Sequence, residues 1–150
     1  MSIPYDSFLG AFLSKISEYD FISLPDKKYR NAIVDGYMKR AAAAFKKNCK
    51  YDLSSNADDE LREFAVDIPE TDADELIDII SEGMVVQWLK PYVYKQELLE
   101  NTLNTRDFTT YSPAELLHRV GEAYKKAQRD YTQAIREYSY NNGKLSDLHL

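Results

Sequence analysis

The sequence predicts an all-α protein: a small helical bundle of about five helices, with a long C-terminal helix and an extended C-terminal tail. Helix-forming residues dominate outside the turns, whereas the 5 glycines and 5 prolines mark element boundaries. Apolar residues recur at the three- and four-residue spacing of one helical face. A length of 150 residues with 44% hydrophobic content suffices for one domain with its own core. We place the helical domain at residues 1–143 and the tail at residues 144–150.

The first two helices are predicted from apolar stripes that are rich in aromatic residues. We expect the first helix to span about Pro4 to Tyr19 and the second to begin near Pro25. The apolar side of the first helix holds Tyr5, Phe8, Leu9, Phe12, Leu13 and Ile16. The corresponding side of the second holds Tyr29, Ile33, Tyr37, Ala41, Ala44 and Phe45. Because residues 41–44 are all alanine, another helix could approach closely there.

Two further helices are predicted in the middle of the chain. A short third helix is expected over Asp58 to Val66, with an inner side formed by Leu61, Phe64 and Ala65. Thr71 is a good N-cap for the fourth helix. This helix is apolar on more than one face from Leu76 to Leu89, so we expect it to be the central element. Pro91 is expected to kink or end it, with helix resuming around Leu98 to Leu103.

The last helix has the clearest start and the clearest periodicity. Ser112-Pro113-Ala114-Glu115 is a capping box, and Asn141-Asn142-Gly143 predicts that the helix ends near Tyr140. Between them runs a stripe, here called the seam, whose spacing alternates between three and four: Leu117, Val120, Tyr124, Ala127, Tyr131, Ala134 and Tyr138. Such a seam packs against another helix, either within the domain or in a neighbouring subunit. Its three tyrosine hydroxyls favour a semi-exposed surface over a dry core.

The net charge of -6 conceals an uneven distribution along the chain. Residues 26–50 are strongly basic, and residues 52–82 are strongly acidic with Arg62 as the only base. Two interpretations remain open: the charges neutralise each other within one copy, or they form complementary surfaces between subunits or with a partner. The basic helix from Lys27 to Lys50 is the one candidate for nucleic-acid binding, although no helix-turn-helix spacing follows it.

Residue patterns typical of enzymes and cofactor sites are missing from the sequence. Neither His118 nor His149 has a second histidine or cysteine at ligand spacing, and Cys49 is the only cysteine. The sequence shows no glycine-rich phosphate loop and no nucleophile elbow. It also lacks an export signal and an apolar run of about 18 residues. We therefore predict a non-catalytic, soluble protein with no metal, no cofactor and no membrane contact, in a reducing compartment.

Three motifs in the second half of the chain carry a resemblance to a known class of proteins. They are MVVQWLKP from Met84 to Pro91, NTRDFTTYSPAELL from Asn104 to Leu117, and Tyr138-Ser139-Tyr140. With them the chain resembles the head-to-tail connector, adaptor or head-completion proteins in the neck of tailed bacteriophages that infect Gram-positive hosts. The resemblance covers roughly the C-terminal two thirds, from Leu61 onward. It is sharpest at Trp88-Leu89-x-Pro91 and at Asp107-Phe108-x-x-Tyr111-Ser112-Pro113.

The resemblance implies a structural virion protein of the neck, assembled in the host cytoplasm. It would form a ring, as a rule a dodecamer, docked beneath the portal after DNA packaging. Its partners would be the portal protein, neighbouring copies of itself and a stopper or tail-completion protein, with genomic DNA passing through the channel without specific binding. The tail would dock on the portal through Leu145, Leu148 and Leu150. The alternative is a soluble helical partner-binding or regulatory module that contacts nucleic acid through residues 27–50.

Overall fold

The structure is a computed structural model of the chain, and it describes residues 2–17, 29–94 and 113–141. Over these ranges the chain is mostly helical, which confirms the predicted class, and its C-terminal helix is long. The helices are α1 (Tyr5–Ile16), α2 (Arg30–Phe45), α3 (Glu70–Tyr94) and α4 (Pro113–Asn141). The strands are β1 (Ile3–Pro4), β2 (Ala57–Asp58) and β3 (Glu63–Phe64), and a 3-10 turn spans Ser54–Asn56.

Helix α1 follows the predicted apolar spacing. Its buried residues are Tyr5, Phe8, Phe12 and Ile16, which recur every three or four positions. The helix ends at Ile16, where the Ser17 hydroxyl donates to the Ser14 carbonyl at 2.7 Å. The predicted continuation to Tyr19 falls on residues outside the described ranges.

Helix α2 buries a face that is rotated from the predicted one. The observed buried residues are Val34, Met38, Ala41, Ala42 and Phe45. Ile33 and Ala44, which we expected on the inner side, are exposed. Val34 and Met38 are buried in their place, and their spacing of four continues to the buried Ala42. The predicted start near Pro25 lies outside the described residues.

Helix α3 is the central element, as its apolar character predicts. It makes the main contacts of α1, α2 and α4, and its buried residues run from Ala73 to Leu89. The helix begins at Glu70, so Thr71 lies in its first turn and is not the N-cap. It also continues through Pro91 to Tyr94, so of the two predicted effects of Pro91, a kink or an end, the end is excluded. Pro91 lies in the final turn, where a missing amide removes only the hydrogen bond to the Gln87 carbonyl.

The seam of α4 packs within the bundle, mainly against α3. Val120, Tyr124, Ala127 and Tyr138 are buried, while Leu117, Tyr131 and Ala134 are half-buried against the same core. The tyrosine hydroxyls are satisfied close by. Tyr131 donates to the Ala41 carbonyl at 2.6 Å, and Tyr138 accepts from the Lys50 amide at 3.0 Å. The Ala41 carbonyl of α2 and the Lys50 amide after α2 both face the seam. The hydroxyls of Tyr131 and Tyr138 therefore keep hydrogen-bond partners when α4 packs on the bundle.

The predicted third helix over Asp58 to Val66 is wrong, because this segment forms a hairpin. β3 pairs antiparallel with β2 on one side and with β1 on the other, and Ile3 lies opposite Phe64. The Asp58 carboxylate accepts from the amides of Glu60 and Leu61, both at 3.1 Å. An aspartate that bonds amides two and three residues on stabilises a turn in competition with a helix.

The corrected segment also has a different inner side. Only Phe64 of the three predicted inner residues is buried, with its ring centroid 5.0 Å from that of Tyr5. Leu61 and Ala65 are exposed. Among the described helices, none is both long enough and apolar enough to cross a membrane.

Candidate functional site

The hairpin is fixed to the bundle by Arg62. Its guanidinium donates from Nε and Nη2 to the two carboxylate oxygens of Asp35 at 2.9 and 2.8 Å, and from Nη1 to Asp6 at 2.6 Å. The two-point contact with Asp35 and the contact with Asp6 raise the pKa of Arg62 above its usual value. The residue has a φ of 51°, a left-handed conformation that costs a side-chain-bearing residue about 1–2 kcal/mol. Three charge-assisted hydrogen bonds hold it there.

A second polar contact lies beside the first. The Tyr5 hydroxyl donates to Asp59 at 2.9 Å, and the Lys39 ammonium lies 2.7 Å from the same carboxylate oxygen. Lys39, and then Tyr5, lower the pKa of Asp59, while burial and the Asp59 carboxylate raise that of Tyr5. A cleft of about 440 Å³ is lined by these residues together with Arg62, Asp35, Asn31, Ala32 and Gly36, and the Arg62 guanidinium carbon lies 6.0 Å from the centroid of the Tyr5 ring. The acids and bases that line the cleft are joined in pairs, and these pairs connect the hairpin to α1 and α2.

The tip of the hairpin projects from this anchorage. The residues Asp58 to Leu61, here called the hairpin tip, carry three carboxylates and one large apolar side chain. Leu61 is 69% exposed. Its backbone is held by Asp58, and the next residue is held by Asp35 and Asp6. The hairpin tip therefore presents an acidic and apolar surface on a fixed backbone.

A basic surface lies where α2 ends. Lys46, Lys47 and Lys50 are exposed, and within the described part of the chain none of them forms a salt bridge. The end of α4 meets them there, because Tyr138 accepts from the Lys50 amide and Ser139 donates to Asn48 at 3.1 Å. Tyr140 comes directly after Ser139 and is 66% exposed. We call Lys46, Lys47, Lys50 and Tyr140 the basic end.

The structure contains features that fit both interpretations of the uneven charge, neutralisation within one copy and complementary exposed surfaces. Lys39 and Asp59 join the basic and the acidic segments within one copy, as does Arg62 with Asp35 in the opposite sense. Lys15 on α1 neutralises two acids of α3, Asp78 at 2.7 Å and Glu82 at 3.0 Å. The hairpin tip and the basic end retain exposed charges of opposite sign. Internal neutralisation is thus partial.

The remaining predicted site residues divide into those described and those outside the described ranges. The anchors Leu145, Leu148 and Leu150 and the motif residues from Asp107 to Ser112 lie outside. Trp88 is buried in the core, Cys49 is buried, and His118 is exposed. Across residues 2–17, 29–94 and 113–141, no group of three histidine, cysteine, aspartate or glutamate side chains could hold a metal ion.

Sequence reasoning missed the hairpin tip and the part that Arg62 plays in holding it. The one available signal was Asp58-Asp59-Glu60 followed by a lone arginine in an acidic segment, because aspartate favours turns. Comparison of the chain with protein families, with curated proteins and with solved structures gives no match.

Replacing Arg62 with alanine is expected to destabilise the protein by about 1–3 kcal/mol, because Asp35 loses its two-point partner and the left-handed backbone remains. Arg62→Gly removes the same hydrogen bonds but relieves the backbone conformation, so its loss of stability should be smaller. Urea unfolding followed by circular dichroism measures both variants. Equal stability of the alanine variant and the wild type would show that the three hydrogen bonds do not hold the hairpin.

Proposed function

We propose that the protein is a head-to-tail connector of a tailed bacteriophage, a non-catalytic structural protein. It assembles as an oligomeric ring between the portal and the next neck or tail component, and it completes the head after DNA packaging. The proposal rests on the sequence resemblance and on one structural observation, the way in which α4 is attached to the bundle.

Helix α4 is attached to the bundle from Leu117 to Ser139. Near the middle of α4, the Tyr131 hydroxyl donates a hydrogen bond to a carbonyl of α2. Near the end of α4, Tyr138 and Ser139 form hydrogen bonds with residues just after α2. The last described turn of α4 is therefore held in a fixed position up to Asn141, and residues 142–150 follow it in the sequence. A fixed point of departure suits a short terminal segment that docks on a partner through a few apolar side chains, since less freedom is lost on binding.

Deletion of residues 144–150 is expected to abolish capture of the portal protein while leaving helicity unchanged. The measurement is a pull-down with the tagged protein from lysate of infected cells, with the captured proteins identified by mass spectrometry. Tail components should be captured by the full-length protein only. A matched variant keeps the length of the chain but replaces Leu145, Leu148 and Leu150 with serine, and it should fail in the same way. A truncated protein that still captures the portal would contradict the docking of the tail.

A second candidate function is a helical partner-binding module that contacts nucleic acid through residues 27–50. Arg40, Lys46 and Lys47 are exposed on or just after α2, which favours it. Two of the three interleaved aromatics do not support base stacking, because Phe45 is buried and Tyr37 is half-buried against the core, whereas Tyr29 is exposed. Binding of duplex DNA that weakens steeply with salt would support this candidate. Replacement of Lys39, Arg40, Lys46 and Lys47 with alanine should then remove it.

A further inference from the structure

We propose that copies of this protein associate head to tail, with the hairpin tip of one copy docked on the basic end of the next. This contact deepens the proposed function, on whose ring it rests, by naming the two surfaces that would join neighbouring copies. The partner is therefore a second copy of the same chain. Three properties of the two surfaces support the contact: preorganisation, complementary chemistry and separate positions on the molecule.

The hairpin tip is preorganised for binding. Its turn is closed by the Asp58 carboxylate, which accepts from two amides at 3.1 Å, and its base is fixed by the Arg62 contacts with Asp35 and Asp6. Left-handed backbone at a non-glycine residue persists only where the surroundings determine it strongly, and such residues cluster at binding sites. Leu61 directly precedes Arg62. Among the large apolar side chains that the structure describes it is the most exposed, at 69%, followed by Tyr140 at 66%. The backbone conformation of the hairpin tip is thus fixed before a partner binds.

The basic end offers the complementary chemistry. Lys46, Lys47 and Lys50 present ammonium groups for the exposed carboxylates of the tip, among which Glu60 forms no ion pair with any described residue. Tyr140 supplies an aromatic surface for Leu61 and a hydroxyl that tolerates water, as tyrosine does at many interfaces. Opposite charges around an apolar contact set the register of association and raise its rate.

The two surfaces occupy different places along α2, so the contact joins unlike patches. Asp59 of the tip is held at Lys39 within α2, about 10 Å along the helix axis from Lys46, which directly follows the C-terminal end of α2. The tip of one copy is therefore retained away from its own basic end by its own ion pairs. When each copy makes its tip contact and its basic-end contact with different neighbours, the contact is heterologous, and repeated heterologous contacts close into rings when the rotation permits.

The test mixes two variants that each lack one surface. A tip variant carries Glu60→Ala and Leu61→Ser, and a basic-end variant carries Lys46→Glu and Lys47→Glu, so the two altered surfaces do not attract each other; all four positions are exposed. Full-length wild-type protein should form oligomers larger than dimers at low salt, measured by sedimentation velocity. Each variant alone should associate at least about tenfold more weakly. An equimolar mixture should form a dimer and nothing larger, because one intact tip then meets one intact basic end.

Matched controls separate this contact from general charge effects. A control variant with Lys125→Glu and Arg129→Glu makes the same change of charge as the basic-end variant, but on the exposed side of α4. It should associate like the wild type. Circular dichroism verifies that every variant keeps its helicity. The proposal is overturned by a wild type that stays monomeric at the highest soluble concentration, by variants that associate as the wild type does, or by a mixture that forms no dimer.

The outcome of this test is independent of the test of the proposed function. Capture of the portal by wild-type protein reports on the connector, whatever the mixture does. If the wild type captures the portal but the mixture forms no dimer, the connector proposal is supported and the head-to-tail contact is overturned. A mixed dimer without portal capture would support the contact and remove the connector.

Discussion

Replacement of Trp88 with alanine is expected to lower the free energy of unfolding by about 3–5 kcal/mol. Trp88 is 1% exposed, and its ring meets Phe12 of α1 edge to face with the centroids 6.0 Å apart. Its loss would leave a cavity on the central helix, where α1 packs on α3. The backbone of α3 is held by two further helices, so it cannot move to fill that cavity.

Thermal unfolding followed by circular dichroism measures this change without the tryptophan as a probe. In a chain of this size each kcal/mol corresponds to roughly 2–4 °C in Tm, so the alanine variant should melt about 6–20 °C below the wild type. Trp88→Phe is the matched control. It keeps an aromatic ring against Phe12 and should lose less than half as much. Equal stability of the alanine variant would instead place Trp88 at a partner surface.

Replacement of Gly83 with alanine is expected to destabilise the protein by about 1–3 kcal/mol, although alanine favours helices. A Cβ at position 83 would lie 2.7 Å from Cζ of the Tyr131 ring and 2.8 Å from the Cβ of Ala41. Neither neighbour is free to move. Ala41 is part of α2, and the Tyr131 ring is fixed because its hydroxyl donates to the Ala41 carbonyl at 2.6 Å.

Two other helical glycines provide internal controls for this substitution. A Cβ at Gly10 or Gly121 would meet nothing within 4 Å. Alanine at either position should therefore stabilise the protein by about 0.5–1 kcal/mol through backbone entropy and helix propensity. Opposite signs at Gly83 and at the controls, in urea unfolding, are the expected result. A Gly83→Ala variant that is stabilised like the controls would refute the close approach of the three helices.

The helices were predictable because each has a strong local signal. Tyr5, Phe8 and Phe12 mark the buried face of α1 at helical spacing, and Pro113 marks the first residue of α4. The alanine run in α2 correctly indicated a close approach, which α3 makes at Gly83. That Gly83 is the residue opposite Ala41 depends on how two helices cross, and no pattern within either helix contains this information.

The sheet and its anchorage could not be predicted for a physical reason. Each strand has two residues, too few for an alternating pattern to appear, and β1 finds its partner far along the chain. The spacing of Leu61, Phe64 and Ala65 matches a helical face by coincidence. The hydrogen bonds of Arg62 to Asp35 and Asp6 arise only once α1 and α2 are packed, so the left-handed backbone at that residue has no local sign.

The pairing of β1 with β3 also determines the order in which the chain is able to fold. Ser2 and Glu63, which bond at 2.9 Å beside these strands, are 61 positions apart. Closing so large a loop is entropically unfavourable until other contacts have shortened it, whereas turns such as the one at Asp58 form locally and fast. We therefore expect β1 to be the last part of the sheet to join. During synthesis on a ribosome its residues emerge before those of the hairpin, so they stay unpaired until the hairpin has been made.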